Sequence, residues 1–274
     1  MELSWYPAPG KLNLFLHVLG KRPDGYHELQ TVFRLIDRCD RVGIAGRTDG
    51  NIAFEGPFGE ENLCVRAARL LKGETGCAKG CDLALEKTLP VGGGLGGGSS
   101  DAATVLLVLN KLWDLNLANS QLRELGARLG ADVPVFVYGR NALGEGIGER
   151  LTPIDLAAAW YLVLTPQVSV STKETFKSAL TRPAKRLKMS PFLSGQGAND
   201  LEPVVVARYP DVAASLGWLR KHRPQARMTG SGACVFAEFE TEAEARALHL
   251  ALPGGMHGFV ARGLESHPLL DSTD

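Results

Sequence analysis

Residues 90–103 read PVGGGLGGGSSDAA, and six of the seven positions 92–98 are glycine. An apolar strand is predicted just before this run, at 81–89, and an apolar-faced helix just after it, at 102–113. Glycine lets the backbone adopt positive φ and approach another molecule closely. The start of a helix presents unpaired N–H groups and the positive end of its dipole. The run therefore predicts a phosphate-binding loop that leads into a helix.

Three other interpretations of the glycine run fit the sequence less well. A flexible Gly/Ser linker fits poorly, because the flanking segments are a strong strand and a strong helix. A Walker A loop needs a lysine after its last glycine, where this chain has Ser99. The dinucleotide fingerprint is present in letters at Gly92, Gly94 and Gly97, but it should open the fold and be followed by a well-placed acidic residue. Asp114 is only loosely placed for that role, so NAD binding is disfavoured.

Composition narrows the classes of protein. The chain has 274 residues, with 30 basic and 30 acidic side chains and a formal net charge of zero. Such a length favours about two domains. The charge balance removes the simple case for a nucleic-acid or anionic-membrane partner, which usually shows a basic surplus. The longest apolar runs, 156–164 and 102–109, are far shorter than the roughly 20 residues that span a bilayer.

The N-terminal residues and the cysteines favour a cytoplasmic protein. The N-terminal residues include Glu2, Pro7 and Pro9 and show neither the basic region nor the long apolar region of a secretory signal. Five cysteines leave one unpaired in any disulfide scheme. Cys77 and Cys81 have no second pair at zinc spacing, so a zinc site is disfavoured.

Hydrophobic patterning gives the order of elements. Alternation over the first 36 residues predicts two antiparallel strands around a turn at 23–25, followed by short strands at 41–45 and 51–54. Helices are predicted at 61–72 and from Ser120, with a break between Gly130 and Pro134. In the second half, strands and helices follow the order β-α-β-β-α-β of ferredoxin-like domains. The basic segment 183–197 is predicted as a loop with a solvated surface.

Three motifs together resemble those of the GHMP kinase superfamily, which binds ATP without a Walker A sequence. They are the glycine run with its preceding Pro90, the N-terminal segment APGKLNL at 8–14, and TGSGACVF at 229–236. The segments DGYHELQT at 24–31 and GADVP at 130–134 are narrower, and they are similar to the members that act on a small cytidine-diphosphate substrate. Gly10 departs from the family pattern, which usually has alanine there.

The resemblance implies a fold and a reaction. It implies an α+β, two-domain GHMP kinase fold. The N-terminal ATP-binding domain, over 1–153, is like ribosomal protein S5 domain 2, and the C-terminal domain, over 154–274, is ferredoxin-like. The active site would lie between them. The reaction would transfer the γ-phosphoryl group of ATP, with Mg²⁺, to a substrate hydroxyl. The metal ligands and the oligomeric state are left unknown.

The resemblance also implies roles for individual residues. Lys11 and Asp132 match the catalytic residues; taken alone, they would be an edge-strand lysine and a helix cap. The nucleotide would contact Asn62, otherwise a helix-cap residue, and the loop Pro90, Val91, Gly92, Gly93, Gly94, Leu95, Gly96, Gly97, Gly98, Ser99 and Ser100. Either serine is a candidate for Mg²⁺ or phosphate. The substrate would contact Asn13, Tyr26, His27, Thr172 and Phe176. The turn at 230–232 would abut the substrate diphosphate or the loop.

Two alternatives stay open at this point. One is another GHMP kinase, of the homoserine or mevalonate type. The other is a nucleotide-binding module without catalytic activity, against which Lys11 and Asp132 argue.

Overall fold

The computed structural model describes residues 2–178 and 197–271, which form two sheets with helices packed on them. The predicted α+β class is confirmed. The basic loop predicted at 183–197 lies outside the described residues except for its last one, Gly197.

The first sheet is organised around one long strand. β2 pairs with β1 along most of its length, with β4 through 41–47 and with β5 through 29–33. The two predicted antiparallel strands are thus confirmed, but the separate strand predicted at 41–45 is wrong, because it continues β2. The strands are β1 (Ser4–Lys21), β2 (His27–Arg47), β3 (Ile52–Glu55), β4 (Gly80–Glu86), β5 (Ala142–Gly146) and β6 (Arg150–Pro153).

Helices cover this sheet, and α2 is at their centre. It packs against β1, β2, α1 and α4, and its inward face is almost wholly buried. It begins inside the glycine run, because Gly96 takes a left-handed conformation (φ 71°) as its N-cap. The helices are α1 (Leu63–Thr75), α2 (Gly97–Leu112), α3 (Asn119–Leu129) and α4 (Val133–Tyr138), with a 3₁₀ turn at Gly59–Glu61.

Three elements between 133 and 153 were missed from the sequence. Pro134 was interpreted as bounding a break, but it occupies the first turn of α4, where a missing N–H costs nothing. The short apolar run 133–137 is wholly buried, so it carries no amphipathic period. β5 and β6 then form a hairpin that extends the first sheet to Pro153.

The second sheet has the spatial order β10-β7-β9-β8, with every neighbouring pair antiparallel. Two helices, α7 and α8, pack on it, which gives the predicted β-α-β-β-α-β order. Its strands are β7 (Trp160–Leu164), β8 (Arg227–Met228), β9 (Val235–Phe239) and β10 (Gly258–Arg262). The helices of this half are α5 (Thr172–Ser178), α6 (Glu202–Arg208), α7 (Pro210–His222), α8 (Glu242–Leu250) and α9 (Pro268–Asp271).

The two sheets share a hydrophobic cluster. Leu12 and Phe15 of β1 pack there with Tyr161 of β7 and Phe236 of β9, all essentially without solvent exposure. After β10 the chain returns to the first sheet, where Leu264 N donates to Leu35 O. The predicted division into 1–153 and 154–274 stays a prediction. Leu264, His267 and Leu269 contact residues of 1–153, although they follow the last strand of the second sheet.

Within the described ranges, no helix has both the length and the apolar character needed to cross a membrane. All five cysteines fall in these ranges and carry free thiols.

Candidate active site

One cavity of about 860 Å³ lies between the two halves of the molecule. It collects residues that are far apart in sequence, from β1, the glycine run, the N-cap of α4, and α5. Of the residues predicted from the sequence, only Ser100 is not part of its wall. The others in the wall are Lys11, Asn13, Tyr26, His27, Asn62, the loop residues 90–99, Asp132, Thr172 and Phe176.

The glycine run forms a curved loop at the N-terminus of α2. Gly92, Gly94 and Gly96 all have left-handed backbone, with φ of 71°, 77° and 71°. Left-handed residues at alternate positions turn successive N–H groups toward one concave side, which suits an anion. The first N–H groups of α2 add to this side, since they have no partner within the helix. The loop has the geometry of a phosphate cradle.

Lys11 joins this loop to the strand and helix around it. Its Nζ donates to Asn13 Oδ1 at 2.6 Å and to Gly94 O at 3.1 Å, and it lies 3.1 Å from Asp132 Oδ2. The Lys11 side chain is 3% exposed, whereas that of Asp132 is 35% exposed. Asp132 stands at the N-cap of α4, but in the described structure its carboxylate makes no capping bond. One carboxylate oxygen is thus held by Lys11 while the side chain still faces the cavity.

Asn13 is fixed on three sides. Its Nδ2 donates to Thr31 Oγ1 at 2.8 Å, its Oδ1 accepts from Lys11, and its backbone N–H donates to Thr229 Oγ1 at 2.9 Å. Thr229 Oγ1 in turn donates to Gly94 O at 3.4 Å. Asn13 therefore helps to orient Lys11 and connects the first sheet to the second.

The turn at 230–232 lies directly on the glycine loop. A Cβ added at Gly94 would be 2.3 Å from Thr229 O, and one added at Gly230 would be 2.9 Å from Gly94 O. Cys234 N also donates to Gly93 O at 3.1 Å. The sequence predicts that the turn abuts either the substrate diphosphate or the glycine loop, and the structure places it against the loop.

Aromatic side chains also line the cavity. The rings of His27 and Phe176 stack with centroids 5.2 Å apart and an angle of 21°. Burial, with a smaller contribution from nearby Lys21, lowers the pKa of His27, which favours a neutral imidazole. Its Nε2 is buried and has no hydrogen-bond partner in the described residues. Tyr26 is also part of the cavity wall and is largely exposed.

Thr172 lies at the start of α5 and is fixed by the turn at 230–232. Its Oγ1 is 2.8 Å from Ser231 Oγ. The turn thus touches both the phosphate loop, through Gly230, and a predicted substrate residue, through Ser231.

Asn62 has the capping role that its position favours. Its Oδ1 accepts from Cys64 N at 2.9 Å at the start of α1, and its Nδ2 donates to Pro57 O at 2.9 Å. It is also part of the cavity wall, so a contact with a nucleotide stays a prediction.

The two serines of the loop differ in position. Ser99 is part of the cavity wall, whereas Ser100 is wholly buried on the inner face of α2. Ser99 therefore fits a phosphate or a metal ion better. Among the described residues, no group of three or more His, Cys, Asp or Glu side chains is placed to hold a metal. Mg²⁺ commonly binds through one or two protein groups together with substrate phosphates. A site in which Ser99 is the protein ligand is therefore compatible with Mg²⁺.

A charged cluster that sequence reasoning missed supports the start of α2. Lys87 Nζ contacts Asp40 Oδ2 and lies 2.8 Å from Asp101 Oδ2. Asp40 Oδ1 also accepts from Thr88 N and Leu89 N. Asp101 Oδ1 is buried with no partner in the described part of the chain. Burial raises the pKa of Asp101 to about 7, although Lys87 opposes the shift.

Thr229 belongs to the C-terminal glycine motif at 229–236, but its bridge between Asn13 N and Gly94 O depends on contacts across the fold that the sequence does not show. Asp40, Lys87 and Asp101 are 14 to 61 positions apart and carry no shared pattern, so only the structure brings them together. The departure at Gly10 has a local reason. A Cβ there would be 3.1 Å from Leu89 Cδ2, closer than side chains normally pack.

Comparisons with known proteins agree with this geometry. The family described as GHMP kinases N terminal domain matches residues 62–140, and the family described as GHMP kinases C terminal matches residues 182–257. A protein of Thiobacillus denitrificans described as 4-diphosphocytidyl-2-C-methyl-D-erythritol kinase is 58% identical over 271 residues, with 97% of each chain covered.

Solved structures extend the comparison. A crystal structure of 4-(cytidine 5'-diphospho)-2C-methyl-D-erythritol kinase superposes with a TM-score of 0.86 at 34% identity, covering 95% of this chain and 99% of the other. A homoserine kinase from Cytophaga hutchinsonii has a TM-score of 0.71 at 16% identity, with 97% and 96% covered, which shows a shared fold. The resemblance to GHMP kinases inferred from the motifs is confirmed, including its narrower form.

Alanine should lower the stability of the protein at one glycine of the loop but not at another. We expect Gly94→Ala to lower the free energy of unfolding by more than about 2 kcal/mol, because of its positive φ and the crowding by Thr229 O. Gly98→Ala is the matched control, since its Cβ would meet only Leu63 Cδ1 at 3.5 Å. It should leave stability unchanged or raise it by up to about 1 kcal/mol. Urea denaturation measures both, and equal effects would contradict the close approach.

The stability of the protein should fall as Asp101 ionises. Its folded-state pKa of about 7 is above the ordinary value of 3.8, so the folded state binds more protons between these values. This contribution is present below pH 3.8 and lost as the pH rises through 7. From pH 5 to 8, the unfolding free energy of Asp101→Asn should rise relative to wild type, by on the order of 1–3 kcal/mol.

Urea titrations at both pH values measure this difference. Asp211→Asn is the control, because it makes the same change at an exposed position. Its stability should keep the pH dependence of the wild type. Parallel pH profiles for Asp101→Asn and wild type would show that Asp101 is ionised throughout this range.

Proposed function

Because the chain belongs to the 4-diphosphocytidyl-2-C-methyl-D-erythritol kinases of the GHMP kinase family, we propose that it transfers the γ-phosphoryl group of ATP to the 2-hydroxyl of 4-diphosphocytidyl-2-C-methyl-D-erythritol. This reaction belongs to the non-mevalonate route to isoprenoid precursors, and the proposed location is the cytoplasm. The observation that carries the proposal is the convergence of the glycine loop, the Lys11–Asp132 pair and the His27–Phe176 stack in one cavity.

The loop and the helix start account for ATP binding. Phosphoryl transfer asks a protein mainly to position its reactants and to neutralise charge. The N–H groups of residues 92–97 would position the triphosphate, and together with the dipole of α2 they would offset its negative charge. Mg²⁺, when bound, would neutralise phosphate charge, and Ser99 is the side chain proposed to reach it or the phosphates.

Asp132 and Lys11 are proposed to act at the acceptor hydroxyl. The exposed part of the Asp132 carboxylate would accept a hydrogen bond from the hydroxyl, orient it toward the loop and take up its proton. Lys11 holds this carboxylate 3.1 Å from its own Nζ and keeps contact with Gly94 O. The lysine thus fixes the distance between the acceptor oxygen and the phosphate loop.

The aromatic part of the cavity wall is proposed to bind the cytosine base. The His27–Phe176 stack offers flat faces, and His27 Nε2, which has no hydrogen-bond partner in the ranges 2–178 and 197–271, can bond to a polar edge of the base. Tyr26, Asn13 and Thr172 would contact other parts of the substrate. These groups favour a cytidine-diphosphate substrate over homoserine or mevalonate, which carry no base.

Removing either charge of the Lys11–Asp132 pair should stop turnover. We expect Lys11→Met and Asp132→Asn each to lower kcat by at least about 100-fold, because general acid–base catalysis and orientation are worth that much. ATP binding, measured by calorimetry, should persist in Asp132→Asn. The controls Lys111→Met and Asp211→Asn alter exposed positions outside the cavity and should keep kcat. Near-normal turnover of both site variants would refute the assignment.

Base recognition is tested by a substrate panel and by competition. With ATP consumption as the readout, 4-diphosphocytidyl-2-C-methyl-D-erythritol should be phosphorylated, and homoserine and mevalonate should not. CDP should compete with the substrate and UDP should not, because the two bases present different donors and acceptors at the same edge. Equal competition by CDP and UDP would show that the base is not recognised.

A further inference from the structure

The short segment 198–200 connects the two halves of the molecule beside the active site. Leu16 N of β1 donates to Ala198 O at 3.0 Å, and Asp200 N donates to Leu16 O at 2.9 Å. Asp200 Oδ2 also accepts from Val18 N at 2.8 Å. Leu16 and Asn199 form a parallel bridge. The segment is thus bound to the same strand that carries Lys11.

The side chain of Asn199 connects this segment to the end of β8 and to the turn at 230–232. Its side chain is buried, and its Nδ2 donates to Met228 O at 2.9 Å and to Gly230 O at 2.8 Å. Its Oδ1 accepts from Leu201 N at 3.0 Å. Both N–H groups and the oxygen of this amide are used, so its orientation is fixed by the contacts themselves.

These bonds complete a closed ring of contacts around the site. β1 holds Asn199 through Leu16, and Asn199 holds Gly230. The Gly230 backbone packs on Gly94, and Gly94 O accepts from Lys11, which returns the ring to β1. The position of the loop relative to β1 is therefore fixed from two sides, by Lys11 and by Asn199.

We propose that Asn199 is a positioning residue for phosphoryl transfer: its bonds to Met228 O and Gly230 O set the distance between the glycine loop and the residues on β1 and α5 that are proposed to contact the substrate. This inference rests on the proposed function. Asn199 is not part of the cavity wall. It acts through the turn at 230–232, whose Gly230 abuts the loop and whose Ser231 holds Thr172.

The proposed role has a different kinetic consequence from a role in folding. The loop keeps its own N–H groups and the start of α2 without Asn199, so ATP should still bind. A displacement of about 1 Å between reacting groups is enough to cost about 100-fold in rate. The loss should therefore appear in kcat, with the dissociation constant of ATP little changed.

Two substitutions at Asn199 and one control test this. Asn199→Asp keeps the shape but points an oxygen at the two carbonyl oxygens, and Asn199→Ala removes the bonds without repulsion. Leu219→Ala is the control: Leu219 is wholly buried in α7 and is outside both the cavity and the ring, so it lowers stability alone. Each purified variant is assayed with ATP and 4-diphosphocytidyl-2-C-methyl-D-erythritol below its melting temperature, with calorimetry for ATP.

We expect kcat to fall about 100-fold in Asn199→Asp and about 10-fold in Asn199→Ala, with the ATP dissociation constant within threefold of wild type. Leu219→Ala should keep its kcat. The inference is overturned if the Asn199 variants keep kcat, if ATP binding accounts for the whole loss, if Leu219→Ala loses as much, or if neither Asn199 variant folds. A wild-type protein without turnover would instead refute the proposed function, whatever the variants do.

Discussion

The buried ammonium of Lys11 is where the phosphate loop, strand β1 and helix α4 meet. A charge with 3% side-chain exposure must be compensated, and it contacts Asp132 Oδ2, Asn13 Oδ1 and Gly94 O. Removing the carboxylate would leave an uncompensated buried cation, which is strongly unfavourable. The same electrostatic requirement that holds β1, α4 and the glycine loop together therefore also places a carboxylate beside that loop.

Local patterns predicted the parts of this arrangement that depend on local chemistry. The glycine run, the alternating β1 and β2 and the ferredoxin-like order follow from backbone freedom and periodicity, and the structure contains all of them. α4 was missed because a short, fully buried helix has no amphipathic period, and its Pro134 resembles a break. Asn199 and the Asp40–Lys87–Asp101 cluster were missed for another reason. Their partners are distant in sequence, so their importance comes only from tertiary contacts.

The distribution of charge shows why net charge says little about the ligands of this chain. Basic and acidic side chains balance over the whole sequence. Among the described residues of the cavity wall, there are five lysines and three acidic side chains. Lys11 and Lys87 are paired with aspartates, whereas Lys21, Lys173 and Lys177 lie on the side of the aromatic stack. Two polyanionic substrates in one cavity need such a local surplus, and a neutral protein can supply it by charge placement alone.

The close approach of two backbones explains why the site needs both halves of the molecule. Gly94 and Gly230 approach so closely that no side chain fits between them, and Thr229 bonds to both Asn13 and Gly94. A side chain at either glycine would push the turn at 230–232 away from the loop, and the contacts that join the loop to Asn13 of β1 through Thr229 would then be lost. The glycines of the two motifs are thus required by each other, in addition to any role in binding the nucleotide that is proposed for the loop. This mutual requirement explains why two motifs more than 130 residues apart indicate the function only when they are considered together.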